Sequence, residues 1–427
     1  MNLINTLFIL NPDCRFQVYS LSLMNTPVKN NKALTALQNK VHGMQITHIE
    51  VVRLAIPFES GRSITPANET AWNAASPALK KMETLLVRIE TDNGLHGWGE
   101  AFGHLSNSVT VQALQDLIVP CFLGKNLPDS PSTLAALMQE AEKALHAFGR
   151  SGPVRYGLSA IDIALWDLLG KQLNQPLWQL LGAKRRQIGL YASLVSYNNQ
   201  PQEVARQVRR AWQAGFTTLK LHETTYEAIA AARAALPEDA TLMVDVNCPW
   251  RVDEASQHAE RLAPLKLGWL EEPVWPPDDA AGLAAVRRAG TPLAAGENAS
   301  GEWGFEELLS QHAVDVVQPS VAKVGGITAS LRVFARAREF GVKVVPHCFY
   351  YGAGLMATAH LVATLPEDVL LEVPWIRFSP LLWPQLDFKP TLTLPDTPGL
   401  GFEPDRQVLE AHTVSQMTFN FEDAHHV

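Results

Sequence analysis

Apolar and polar positions follow two different rhythms along this chain. From Met44, residues 45–57 and 84–100 read as strands. Thr84-Leu85-Leu86-Val87-Arg88-Ile89-Glu90 alternates apolar and polar for much of its length, and Asp92-Asn93-Gly94 supplies a turn. From about 108 to 181 the spacing becomes helical. The run Ser159 to Leu169 carries apolar residues at i, i+3, i+4 and i+7, with Gly170 following. After 187 a third pattern repeats: short β-rich runs recur roughly every 25 residues, each followed by an Ala-rich amphipathic stretch. The runs are 188–194, 217–222, 242–247, 269–273, 292–298, 314–320, 343–348 and 369–374. In the first intervening helix Val204, Val208 and Trp212 share a face and Gly215 ends it. Strands followed by helices predict an α+β domain, and eight strands alternating with helices predict a parallel (β/α) barrel. An open doubly wound sheet is the alternative with the same pattern.

Composition narrows the picture. A chain of 427 residues fits two domains, or a barrel with a cap. The net charge of -8 is interspersed, and no basic run suggests a nucleic-acid face. No stretch approaches 18 uninterrupted apolar residues, so no membrane span is expected. Cys14, Cys121, Cys248 and Cys348 lie far apart without a CxxC pair, which fits a reducing, cytoplasmic setting. Residues 1–43 are polar and patternless after a brief apolar run, and are expected to be a disordered extension or to precede the native start, with Met24 and Met44 as alternative starts.

The chemistry concentrates at the C-terminal ends of the repeating strands. In order these present Lys220 and His222, Asp245, Glu271, Glu297, Ser320, His347 and Glu372. The steps from Asp245 to Glu271 and from Glu271 to Glu297 are equal, 26 residues each. In a barrel, strand C-termini converge on one mouth, so these three carboxylates would meet. A lone acidic residue at a strand end ordinarily caps a helix or faces solvent. Three in register, each within an apolar strand, cannot share a small space ionised unless a cation neutralises them. Oxygen ligands without a cysteine-histidine set favour Mg²⁺, with Mn²⁺ possible. Lys220 and His222 are two apart on one strand and point the same way, and an adjacent ammonium keeps an imidazole neutral and able to accept a proton. His347 closes the ring from the other side.

On these residues the chain resembles the enolase superfamily, in the mandelate racemase / muconate lactonizing enzyme branch. The matching motifs are Val244-Asp245-Val246-Asn247, Trp269-Leu270-Glu271-Glu272-Pro273, Gly296-Glu297-Asn298, Gln318-Pro319 with Lys323-Val324-Gly325-Gly326-Ile327, and Pro346-His347. Gly94 to Glu100 and the segment around Asp162 and Trp166 match the capping domain. The resemblance covers nearly everything from Met44 to about Asp405. It implies a (β/α)7β TIM-like barrel over 183–390, an N-terminal α+β cap over 44–182, and a C-terminal segment, 391–427, that returns to the cap. It implies Mg²⁺ on Asp245, Glu271 and Glu297, bases on the second strand and at His347, and Glu372 as a general acid that meets the substrate carboxylate. It also implies a homo-oligomer.

Two positions depart from the family's usual pattern. His222 stands where a second lysine is usual, and Ser320 stands where an aspartate usually orients the histidine. An equal two-base racemase is therefore not expected, and Ser320 is expected to leave His347 without its orienting partner. The expected reaction uses His222 as base and His347 as acid on a small carboxylate substrate: the α-proton leaves, an enediolate forms beside Lys220, and a β-hydroxyl departs to give a 2-keto acid. Racemisation, epimerisation and lactone cycloisomerisation are the neighbouring outcomes, and a metal-binding protein without turnover is the rival class. The loop 58–80 is expected to shape specificity, with Arg62, Asn247 and Ser320 as candidate substrate contacts. Trp250, Trp275, Phe349, Tyr350 and Trp375, with Cys248 and Cys348, read as packing residues.

Overall fold

The computed structural model describes residues 44–62, 75–76, 78–383 and 389–422. The segment 1–43, Cys14 and most of the expected specificity loop (63–74 and 77) lie outside the described residues.

The cap begins with a long central strand, β1 (Ile46–Glu59), flanked by β2 (Lys81–Thr91), which in turn pairs with β3 (His96–Ala101). All three ladders around β1 are antiparallel, because its other edge takes two late segments, Arg377–Phe378 and Thr413–Asn420. The helix Pro153–Gln172 lies across this sheet. Its motif showed one apolar stripe, yet Ser159 through Gly170 are buried without exception. The reason is that it is enclosed on two sides. One side meets β3, whose Gly97 and Gly99 let the two backbones approach. A Cβ on Gly99 would lie 1.9 Å from the carbonyl oxygen of Ala160. The other side meets the barrel: Thr328 N donates to the buried Asp162 (3.0 Å), Trp166 Nε1 donates to Thr328 Oγ1 (2.9 Å), and Arg155 Nε donates to Val324 O (2.7 Å).

Eight parallel strands follow: β4 (Gln187–Ser193), β5 (Thr218–Leu221), β6 (Thr241–Asp245), β7 (Leu270–Glu271), β8 (Leu293–Ala295), β9 (Val316–Val317), β10 (Lys343–Val344) and β11 (Leu371–Pro374). Each expected run holds one of them. β4 to β10 pair in sequence order, and β11 pairs with β4. The remaining seam, between β10 and β11, is bridged by Cys348 N donating to Glu372 Oε2 at 2.8 Å. The sheet thus curls into the barrel rather than the open doubly wound sheet.

Strands β7, β9 and β10 are cut to two residues each. Pro273, Pro319 and Pro346 follow β7, β9 and β10 within two residues, and a residue without an N–H cannot extend a ladder. The chain therefore leaves the sheet just where Glu271, Ser320 and His347 stand. Val204 and Val208 are buried on the first barrel helix (Pro201–Gln213), Trp212 is half-buried, and Gly215 adopts φ +96 beyond its end. Among the described residues no helix is long and apolar enough to cross a membrane.

Cap and barrel are tied at the mouth as well. Phe102 N donates to Ala322 O (2.9 Å), and Gly354 N, in the first turn of the helix Ala353–Val362, donates to the buried Glu100 (2.7 Å). Because the β3 contact leaves no room for a side chain, Gly99→Ala is expected to cost about 1–3 kcal/mol. A urea titration should show a lower midpoint, and an unchanged midpoint would contradict the close-contact account of this seam.

Candidate metal centre and active site

Asp245 ends β6, Glu271 ends β7, and Glu297 follows β8 by two residues after Gly296, whose φ of +136 aims the chain outward. Each offers a carboxylate oxygen, and the three oxygens lie within 4.8 Å of one another. Neighbours fix their orientation. Asn247 N donates to Asp245 Oδ1 (2.9 Å), Trp269 Nε1 to Glu271 Oε2 (2.9 Å), and Asn298 Nδ2 to Glu297 Oε1 (3.3 Å).

The electrostatics of this cluster are unbalanced. Asp245, Glu271, Glu272, Glu297 and Glu372 place carboxylates in one buried region against the ammonium groups of Lys220 and Lys323. Burial and the neighbouring Asp245 push Glu271 well above the usual carboxylate range. Burial and Glu297 push Glu272 up to about 7. For Glu297 burial acts in the same sense, but His347 and Lys323 outweigh it and hold the group well below its ordinary value. A converging set of oxygen donors with surplus negative charge fits a hard divalent cation of the Mg²⁺ type.

Lys220 is fully buried. Its Nζ lies 2.9 Å from Glu271 Oε1, 2.8 Å from Glu372 Oε1 and 3.5 Å from Asp245 Oδ2. Burial disfavours the ammonium, but these carboxylates outweigh it and the group titrates well above the ordinary lysine range. His222 points the same way, as the i, i+2 spacing requires, with Nε2 at 3.3 Å from Asp245 Oδ2. Its Nδ1 is bonded to the carbonyl of Leu194. A carbonyl can only accept, so Nδ1 carries the hydrogen, and in the neutral ring Nε2 keeps a lone pair. Phe349 meets the ring edge-on, at 6.1 Å between centroids. His347 stands at the other end of the trio, with Nε2 at 2.8 Å from Glu297 Oε2.

Several expectations are revised. Ser320 does not leave His347 without a partner: its Oγ lies 3.0 Å from His347 Nδ1 and is also bonded to the Tyr350 hydroxyl. Glu372 does not have the character of a general acid. One oxygen pairs with Lys220 and the other accepts from Cys348 N; although burial raises its pKa, Lys220 brings it down to about 2. Arg62 donates Nε to Ser196 O (2.7 Å) and a terminal nitrogen to Ala75 O (2.9 Å), so it ties loops together. Asn247 adopts φ +54, and its buried Oδ1 has no hydrogen-bond partner among the described residues. Cys248 is more than filler, since its Sγ donates to Glu272 Oε2 at 3.4 Å. Of the aromatic residues, Trp250 stacks on His258, Trp375 meets Phe216, and Trp275 is exposed at 65%.

Three residues at the mouth were not foreseen in these places. Lys323 donates to Asn298 Oδ1 (2.8 Å) and lies over the Phe102 ring at 4.4 Å. His104, from the cap, is buried in a left-handed conformation, φ +36, and is pushed down to about 3 by burial and by nearby His347 and Lys323. Tyr350 reaches the site through its bond to Ser320 and an edge-on contact with the His347 ring. No sequence spacing connects the cap residue His104 to barrel strand ends, whereas Lys323 and Tyr350 stand three residues past the matching Ser320 and His347 and were visible only as neighbours.

Residues 63–182 match the mandelate racemase / muconate lactonizing enzyme N-terminal domain, and residues 203–408 match the enolase C-terminal domain-like family. The chain belongs to the enolase superfamily, in its mandelate racemase / muconate lactonizing enzyme branch. It is 31% identical over 387 residues to the D-galactarolactone cycloisomerase of Agrobacterium fabrum, covering 85% of this chain and 96% of that relative. It is 28% identical over 340 residues to the arabinonate dehydratase of Saccharolobus solfataricus, covering 75% of this chain and 88% of the relative. A racemase from Streptomyces coelicolor A3(2), solved with bound magnesium, superposes with a TM-score of 0.74 at 26% identity, covering 86% of this chain and all of that one.

Mg²⁺ is expected to raise the melting temperature reversibly, with EDTA restoring the starting value. A metal concentration a hundredfold above Kd corresponds to about 2.7 kcal/mol of added stability. In Asp245→Asn the Mg²⁺ shift should disappear; an undiminished shift in that variant would place the ion elsewhere.

Proposed function

We propose that the protein is a Mg²⁺-dependent enzyme that removes the proton next to a carboxylate, and that its reaction is the dehydration of an acid sugar to a 2-keto acid. Asp245, Glu271 and Glu297 hold the ion. When bound, Mg²⁺ supplies Lewis-acid stabilisation of the negative charge that develops on the substrate carboxylate, an effect worth several kcal/mol. The observation that carries the reading is the placement of two imidazoles on opposite sides of the carboxylate trio. His222 is bonded through Nδ1 to the Leu194 carbonyl and turns Nε2 toward Asp245 (3.3 Å), and His347 turns Nε2 toward Glu297 (2.8 Å).

The steps follow from these roles. His222 Nε2 takes the α-proton, and the C–H electrons pass into the enediolate. Lys220 donates one N–H to Glu271 (2.9 Å) and pairs by charge with Glu372 and Asp245, at 2.8 and 3.5 Å. A remaining N–H is the one available to the enediolate oxygen. Glu372 anchors Lys220 and stays ionised. The β-carbon–oxygen bond then breaks, His347 in its imidazolium form gives the departing hydroxyl a proton so that it leaves as water and the ring becomes neutral, and the resulting enol tautomerises to the 2-keto acid. With a ring oxygen as the leaving group, the same sequence opens a cyclic substrate, and the identity to a galactarolactone cycloisomerase favours this as the second reading. The thiols Cys121, Cys248 and Cys348 are unpaired, which supports a reducing, cytoplasmic setting.

His222→Asn is expected to keep the Mg²⁺-dependent melting shift while 2-keto acid formation from acid sugars such as arabinonate falls about 10²–10⁴-fold. His347→Gln should still exchange the α-proton in D₂O while failing to release water. Turnover of wild-type size in His222→Asn would remove the histidine from the base role. Ligand-dependent melting shifts with no α-proton exchange in the wild type would identify a binding protein instead.

A further inference from the structure

Three large aromatic side chains among the described residues face solvent: Trp303 is 70% exposed, Trp275 65% and Phe148 57%. They border two cavities that meet at Ser300, just before the helix Gly301–Ser310. The larger, of about 630 Å³, lies where cap and barrel join, and Lys143, Arg150 and Trp303 help to line it. Phe148 stands between His146 and Gly149, two more of its lining residues. The smaller, of about 180 Å³, lies along the barrel rim and is lined in part by Pro277, Asp278 and Glu307. Trp275 stands two residues before that proline.

The two ends of this strip differ in charge. On the floor of the larger cavity the charges balance. Arg155 lies 2.7 Å from Glu142 and 3.5 Å from Glu302, and Arg332 lies 3.6 and 2.5 Å from the same two carboxylates. Lys143 and Arg150 are exposed beside that network and have no ion pair among the described residues. At the other end Asp278 and Glu307 are exposed, and no basic side chain lines their cavity. The strip is therefore basic at the cap end, acidic at the barrel end and aromatic between.

Such a pattern is complementary to itself. Rotating one copy by 180° about an axis beside Trp303 lays its basic end on the acidic end of another, and each pairing occurs twice, as a two-fold interface requires. The apolar content is of the right size. Three aromatics at this exposure offer about 300–400 Å², nearly half of the ~800 Å² that a stable interface takes from each partner. Trp, Phe and Arg are also the residues enriched where proteins meet.

We infer that this strip is the contact face between two copies of the chain, with Asp278 and Glu307 of one copy against Lys143 and Arg150 of the other and Trp303 near the axis. The inference is independent of the reaction proposed above.

Sedimentation velocity on the full chain tests it. The wild type should assemble at about 10 μM, a concentration at which an interface of this size is occupied. Trp303→Glu should raise the dissociation constant of this contact about 100-fold or more, because a central aromatic is lost twice in a two-fold interface. Lys143→Glu with Arg150→Glu makes both ends acidic, and Asp278→Lys with Glu307→Lys makes both ends basic. Each double variant alone should assemble more weakly than wild type. Mixed together they should form the mixed dimer, and all four substitutions in one chain should restore assembly. Should Trp303→Glu fail to fold, the mixing experiment decides alone. A wild type that stays monomeric, Trp303→Glu assembling as wild type does, or double variants that gain nothing on mixing would overturn the inference.

Discussion

Surplus negative charge held out of water is the constraint on which the mouth of this barrel depends. Lys220 is shared by Asp245, Glu271 and Glu372, and Glu297 leans on His347 and Lys323. Such a cluster is costly, because each ionised carboxylate gives up hydration that only pairing or a metal can offset. The raised pKa values of Glu271 and Glu272 express that cost, and the converging oxygens show how a divalent cation relieves it. Charge surplus and the proposed catalysis are thus one feature: the field that attracts a cation surrounds the groups proposed to act on the substrate carboxylate.

The fold supplies the precision. Short strands cut off by Pro273, Pro319 and Pro346 release the chain from the ladder where functional side chains must turn inward. The cap is fixed on the barrel by the bond from Phe102 N to Ala322 O and by Gly354 N donating to the Glu100 side chain, and it brings His104 beside His347 and Lys323. One histidine is held by a backbone carbonyl and the other by the Ser320 hydroxyl, which Tyr350 holds in turn.

Much of this was legible in the sequence, because barrel geometry converts strand-end position into spatial proximity. Equal spacing among Asp245, Glu271 and Glu297 was enough to anticipate their convergence, and the i, i+2 pair Lys220 and His222 to anticipate their common direction. What stayed hidden depended on contacts that no period encodes. Glu372 looked like an acid because its partner Lys220 lies 152 residues away. Ser320 looked like a loss because nothing in the chain shows that Tyr350 folds back onto it. The helix Pro153–Gln172 showed a single stripe, yet it is buried all round, since the second partner surface is the barrel itself.

The central claim is that three strand-end carboxylates grip one divalent ion, and it is tested most directly by anomalous diffraction from crystals grown with Mn²⁺ in place of Mg²⁺. A single strong peak is expected between Asp245, Glu271 and Glu297, with oxygen distances of about 2.1 Å for a small octahedral ion, close to the Mg²⁺ value. A peak bound by other residues, or no peak at a saturating concentration, would contradict it.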